Sequence, residues 1–234
     1  MAKKASKKSA AHILARSPGP SYQDLLDKEV NPVPDSLRDN TNPYLGSENL
    51  SVDRYLSREF HEKEVEHVWQ RTWQAVCRET EVGEAGDTQV YDITRFSIIV
   101  TRTTAGKLKA FRNACLHRGR QLVDKNGNYE KFRCPYHAFT WSLEGDFKWA
   151  PCKWDFPHIK DEAFGLPEVQ VDTWGGWVFI TFEPEVAPLR EYLGGVVDAL
   201  DPLKMEEMRY RWRKWLVVNC NWKVALEAFN EGYH

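Results

Sequence analysis

Residues 115–137 read CLHRGRQLVDKNGNYEKFRCPYH, opening on a Cys and a His one residue apart and closing on a Cys and a His two apart. Written as a pattern, Cys115, His117, Cys134 and His137 form C-x-H-x16-C-x2-H. Two thiolates and two imidazoles hold metal in either of two ways. A single zinc ion takes all four tetrahedrally. A mixed-ligand [2Fe-2S] centre puts both Cys on one iron and both His on the other. One Cys and one His on each of two neighbouring loops fit the second arrangement, because each loop then donates one ligand to each iron.

Outward from these pairs, the chain between Trp73 and about Phe182 is a series of short β-type runs: WQAVC, QVYDI, FSIIVTR, LKAFRNAC, FTWSL and GGWVFITF. The pairs Ala105-Gly106, Asn126-Gly127 and Glu144-Gly145 supply hairpin-type breaks. Strands at this spacing predict a mainly β unit, a small antiparallel sandwich or barrel whose two ligand-bearing segments are loops on a rigid base. Ahead of it, Ser57 to Trp73 has helical spacing, with Val65, Val68 and Trp69 on one face and His61 and His67 on the wet side. Behind it, Leu193, Val196, Val197 and Leu200 fall at helical spacing, and RYRWRKWLVV alternates like a strand. Asn221 stands where it would cap a last helix. The chain therefore divides into an arm and lead-in (1–49), a β domain with its preceding helix (50–184) and the start of an α+β domain (185–234).

Composition narrows the function classes. The chain has 234 residues with ten Trp, and its 32 Lys and Arg nearly balance 34 Asp and Glu. That is the profile of a globular protein without overall attraction to phosphate. The Arg-aromatic alternation of RYRWRKW puts Arg209, Arg211 and Arg213 on one face and Tyr210 and Trp212 on the other, as in a half-buried strand, so no nucleic-acid partner is expected. The acid-free start MAKKASKKSAAHILARSPGPSYQ reads as a solvated basic arm, although its composition also fits a transit peptide. No run of about 18 apolar residues occurs, so no membrane partner and a cytoplasmic protein are expected. Cys77, Cys152 and Cys220 read as buried free thiols.

CLHRG and CPYH, with Arg118-Gly119 and Pro135-Tyr136 beside the ligands, resemble the two halves of a Rieske motif. The resemblance implies a [2Fe-2S] Rieske cluster on Cys115, His117, Cys134 and His137. Respiratory-chain Rieske proteins carry a further Cys in each loop; here Arg120 and Tyr136 stand at those places. The motif is thus of the ferredoxin and oxygenase kind, for which the low end of roughly −150 to +300 mV is expected. One departure is Ala138, where the family commonly has Gly.

The last residues, NWKVALEAFNEGYH, place Glu227, Glu231 and His234 at i, i+4 and i+7 of a helix, on one face. Taken alone this is also the acidic edge of a solvated helix. Downstream of a Rieske motif it resembles the opening of the catalytic domain of Rieske non-haem iron ring-hydroxylating oxygenases, α (large) subunit. The resemblance implies that His234 is the first ligand of a mononuclear Fe(II). It also implies that Glu231, often Asp in the family, links that iron to a Rieske centre. Ala228 stands where Asn is frequent. It further implies a ferredoxin and/or NAD(P)H-dependent reductase, O2 and an aromatic or other hydrophobic organic substrate, and a homotrimer with or without β subunits. The remaining iron ligands of the family lie beyond His234, so the chain is expected to be a truncated piece that is inactive alone; the alternative reading is a Rieske-type electron carrier without its own catalysis, or a zinc-stabilised interaction module.

Overall fold

A computed structural model describes residues 19–38, 48–214 and 216–230. The chain separates into two compact units, one ending at Val52 and the other beginning at Asp53. In the first, α1 (Tyr22–Leu26) starts at a capping box: Ser21 Oγ accepts from the Asp24 N–H, and the Asp24 carboxylate accepts from the Ser21 N–H at 2.7 Å. A second short helix, α2 (Asp35–Arg38), follows. The first 18 residues of the basic arm lie outside the described residues.

The second unit opens with α3 (Asp53–Leu56) and α4 (Arg58–Glu64), the latter capped by Ser57 Oγ accepting from the Phe60 N–H. The helix then widens into one π turn, Val65–Trp69, closed by Gln70 N–H donating to Val65 O at 3.1 Å. It ends four residues short of the expected Trp73. His61 and His67 lie on its exposed side, as the spacing predicts.

Ten strands follow: β1 (Gln74–Arg78), β2 (Asp87–Ile93), β3 (Phe96–Arg102), β4 (Leu108–Arg112), β5 (Gly127–Asn128), β6 (Phe132–Arg133), β7 (Thr140–Trp141), β8 (Phe147–Trp149), β9 (Glu168–Trp174) and β10 (Trp177–Thr181). They form a seven-stranded sheet in the order β1-β10-β9-β4-β3-β2-β5 and a three-stranded sheet β6-β7-β8. Every pairing is antiparallel. The mainly β antiparallel architecture read from the sequence is what forms.

The uninterrupted apolar run in β3 has a physical cause. Ile98 and Val100 point into one core with Cys77, Val82, Val178 and Ile180, while Ile99 points into the other with Phe111, Phe132 and Trp141. Because side chains alternate along a strand, a wall shared by two cores must be apolar on both faces. All three of these β3 residues are fully buried, which removes roughly 1.5–3 kcal/mol of apolar exposure each.

Four expectations need correction. β9 was not foreseen: EVQVDTW interposes Glu, Gln and Asp between its core residues, which hides a strand that joins β4 to β10. The 193–200 helix is two helices, α5 (Leu189–Leu193) and α6 (Gly195–Leu200), broken at Gly194 with φ +53°, and Val196 faces solvent. RYRWRKWLVV forms no strand among its described residues. An extended segment needs a sheet edge to satisfy its backbone, and none accompanies it; Trp212 is 68% exposed. Cys152 and Cys220 are exposed, and only Cys77 is buried as expected. The last helix, α7 (Trp222–Glu227), does start at Asn221, whose Oδ1 accepts from the Lys223 N–H at 3.0 Å.

Candidate metal centre

The first ligand loop leaves the end of β4 and is fastened by a buried amide. Asn113 Oδ1 accepts from the N–H groups of Leu122 and Val123, both at 3.0 Å, and its Nδ2 donates to Val123 O at 2.6 Å and to Ser97 Oγ at 3.0 Å. One side chain thereby clamps both limbs of the loop onto β3. The second loop joins β6 to β7 within the small sheet.

Between these anchors the two loops share one backbone plan. In the first, Cys115 N–H donates to Arg120 O and Gly119 N–H to Cys115 O, both at 2.8 Å. In the second, Cys134 N–H donates to Phe139 O at 2.8 Å and Ala138 N–H to Cys134 O at 2.9 Å. The matching turn residues, Gly119 and Ala138, are both left-handed, with φ +73° and +62°. The departure noted at Ala138 is therefore at a position where glycine is the unstrained residue. Thr140 Oγ1 braces it by donating to Ala138 O at 2.7 Å.

These loops bring the four predicted residues together as two pairs. Cys115 and Cys134 are both buried among Phe111, Phe132, Phe139 and Trp141. The His117 and His137 rings meet edge to face at 4.9 Å, with His117 exposed and His137 half-buried. Phe139 lies parallel to His117, with centroids 4.8 Å apart and planes 4° apart, and Tyr136 covers His137 at 3.8 Å. Among the described residues no three His, Cys, Asp or Glu side chains converge as a single-ion site. The arrangement is Cys with Cys and His with His, which is the division a [2Fe-2S] centre needs and a tetrahedral zinc site does not.

The electrostatics fit the same group. Burial pushes the Cys115 thiol up, and the adjacent Cys134 sulfur pushes further in that direction, against the backbone N–H groups of His117 and Arg118. Two sulfurs so placed do not both ionise without a cation to neutralise them. Burial, then the His137 and Arg118 charges, push His117 down, holding it in the neutral form that ligates. His137 Nδ1 is buried with no hydrogen-bond partner. Leaving such an atom unsatisfied costs about 1–3 kcal/mol, and a metal ion is the partner its lone pair suits.

Sequence reasoning missed Asn113 and Phe139. The signal lies in their places, two residues before Cys115 and two after His137, where a side chain is bound to meet the loop it flanks. Glu231 and His234 lie outside the described residues. Their approach is described. Glu227, at the end of α7, accepts from Tyr55 Oη at 2.8 Å and pairs with Arg54 at 3.3 Å. Asn221 Nδ2 donates to Tyr55 O at 3.1 Å, and Lys223 pairs with Glu64 where both side chains are at least nine-tenths buried. The helix leading to those two residues is thus tied to α3 and α4.

A Rieske [2Fe-2S] domain profile matches residues 72–160, which contain all four residues of the centre. The chain is 29% identical over 223 residues to the anthranilate 1,2-dioxygenase large subunit of Burkholderia cepacia, covering 89% of this chain and 53% of that protein. It is 26% identical over 215 residues to the glycine betaine monooxygenase oxygenase subunit of Pseudomonas aeruginosa, covering 92% and 49%. Among solved structures, a quaternary ammonium Rieske monooxygenase superposes with a TM-score of 0.73 at 25% identity, over 78% of this chain and 51% of that one. Naphthalene 1,2-dioxygenase superposes with a TM-score of 0.60 at 28% identity, over 63% and 34%. The chain spans about half the length of the curated relatives it matches. It therefore carries a Rieske [2Fe-2S] domain and is homologous, over most of its length, to the large oxygenase subunits of Rieske dioxygenases and monooxygenases.

Proposed function

We propose that this chain is the electron-accepting portion of an oxygenase large subunit, with Cys115 and Cys134 holding one iron of the Rieske cluster and His117 and His137 the other. The observation that carries the assignment is the sorting of the four side chains into a buried sulfur pair and an outward imidazole pair. When bound, the cluster supplies one-electron transfer, and a mononuclear iron supplies activation of O2 beside an organic substrate.

The protein's own part is positional. The aromatic core around Cys115 and Cys134 excludes water from the sulfur side. Phe139 and Tyr136 fix the planes of the two imidazoles, whose exposed edge at His117 is the side open to a redox partner. We assign residues 50–184 to the Rieske domain and 185–234 to the start of the catalytic domain, with His234 as an iron ligand and Glu231 as the linking carboxylate. The ties from α3 and α4 to α7 support that reading by anchoring the helix that precedes those two residues in the sequence.

Relatives named for anthranilate and biphenyl stand beside others named for glycine betaine. The substrate class proposed is therefore a small organic molecule, aromatic or quaternary ammonium, hydroxylated or demethylated with O2. Electrons come from a ferredoxin and/or an NAD(P)H-dependent reductase, and the assembly is a cytoplasmic homotrimer with or without β subunits. No helix among the described residues is long and apolar enough to cross a membrane.

The test is an EPR spectrum of dithionite-reduced protein purified without oxygen. A rhombic signal of low average g supports the assignment, and Cys134→Ser abolishes it. A colourless, silent sample with stoichiometric zinc sinks it.

A further inference from the structure

Beside the first ligand loop, the guanidinium of Arg112 rests over two rings at once, 4.5 Å from the centroid of Phe96 and 4.6 Å from that of Phe182. The two centroids are 5.2 Å apart, so the three centres form a nearly equilateral triangle and the rings cover the guanidinium from one side only. Among the described residues, no carboxylate pairs with Arg112, and its side chain donates no hydrogen bond to protein. Acids of the neighbourhood are engaged elsewhere: Glu168 with Lys109, and Glu62 with Arg95 at 2.7 Å. Burial pushes the Arg112 guanidinium down from its ordinary value, as expected of a partly desolvated cation without a counter-charge.

Arg112 lines two cavities of about 270 Å³ each: one shared with Glu168, whose carboxylate pairs with Lys109, and one shared with Arg95, Ser97, Asn113, Gln121 and Gly119, which holds no acid. Ser97 Oγ accepts from Asn113 Nδ2 and from Gln121 Nε2, both at 3.0 Å. Those bonds use both oxygen lone pairs, so the hydroxyl hydrogen is left to donate, and no described residue accepts it. At Gly119 nothing stands within 4 Å of where a β-carbon would be, which leaves that wall open. The lining thus offers a guanidinium and a hydroxyl as donors. Because Glu62 already balances Arg95, the cavity carries one uncompensated positive charge.

We propose that this cavity is a binding site for a small monocarboxylate, with its oxygens on the Arg112 guanidinium and the Ser97 hydroxyl. One net positive charge suits a monoanion, and two donors lining one cavity suit the two oxygens of a carboxylate. The site draws on no property of the cluster, so it stands or falls apart from the metal assignment.

Acetate is the probe. The full chain with its cluster is titrated with sodium acetate at fixed ionic strength, balanced by sodium chloride, and the thermal midpoint is followed. A ligand that binds only the folded state raises the midpoint with the logarithm of its concentration. The expected result is a rise in the wild type and in Lys148→Met, a charge outside the cavity, and loss of the response in Arg112→Met. Ser97→Ala keeps the cation and shifts half-saturation several-fold higher; it decides the matter if Arg112→Met does not fold. An acetate response unchanged in Arg112→Met and Ser97→Ala, or a wild type that responds to acetate no more than to chloride, overturns the proposal.

Discussion

Ala138→Gly should stabilise this protein. Ala138 is held at φ +62° by its own N–H bond to Cys134 O and by Thr140 Oγ1 on its carbonyl. A left-handed conformation costs an L-residue about 1–2 kcal/mol, and the β-carbon is the whole source of that cost. Glycine removes it but gains freedom in the unfolded chain, returning about 0.4–1 kcal/mol. The balance is a gain of about 0.5–1 kcal/mol, near 1–4 °C in midpoint for a chain of this size. The reciprocal change is the control. Gly119 occupies the matching turn at φ +73° with no atom within 4 Å of a β-carbon, so Gly119→Ala introduces backbone strain without a clash. It should lower the midpoint by about the same amount. Circular dichroism melts at one scan rate, on proteins of equal cluster content, measure both. A neutral or lower midpoint for Ala138→Gly, alongside the expected loss for Gly119→Ala, would refute the reasoning that the two turns are equivalent.

Other outcomes can be checked on the same protein. Gly145→Ala drives a β-carbon into the Phe111 ring at φ +90°; overpacking and strain together cost about 2–5 kcal/mol, read as a collapse of soluble yield or a large fall in denaturant midpoint. Lys223→Met leaves the buried Glu64 carboxylate with only His61, 3.8 Å away and charged only when protonated, as a partner, a loss of up to about 3–5 kcal/mol, and Glu64→Leu added to it should restore most of that in a urea titration. Iodoacetamide should label Cys152 and Cys220 in the native protein but not Cys77. Burial, and then Glu81, push the Cys77 thiol from an ordinary 9.0 up to about 12. A raised thiol pKa contributes stability that is present below pH 9 and lost as pH climbs from there towards 12, because the unfolded chain ionises first. Cys77→Ala should therefore flatten the alkaline limb of a stability-pH profile, and an unchanged limb would dismiss the thiol as its source.

Local chemistry was enough to single out the four candidate ligands, because metal-binding side chains must be of particular types and C-x-H-x16-C-x2-H leaves few other uses for them. It was also enough for the strands with continuous apolar runs and for the Asn221 cap, where one residue or one period carries the information. β9 escaped because charged residues alternate with its core positions, and the 209–218 segment was misread because alternation says nothing about whether a partner edge exists. Thiol exposure at Cys152 and Cys220 was likewise a matter of what packs nearby. By itself the sequence determined which four residues are the candidate ligands and the antiparallel β character, both properties of residue types and short spacings. Only the tertiary structure decided that the sulfurs pair inside and the imidazoles outside, that Asn113 clamps one loop and Phe139 stacks on His117, and that Arg112 has no carboxylate partner among the described residues. Those facts depend on segments brought together from distant parts of the chain, and no local pattern encodes which side chains such a meeting leaves satisfied.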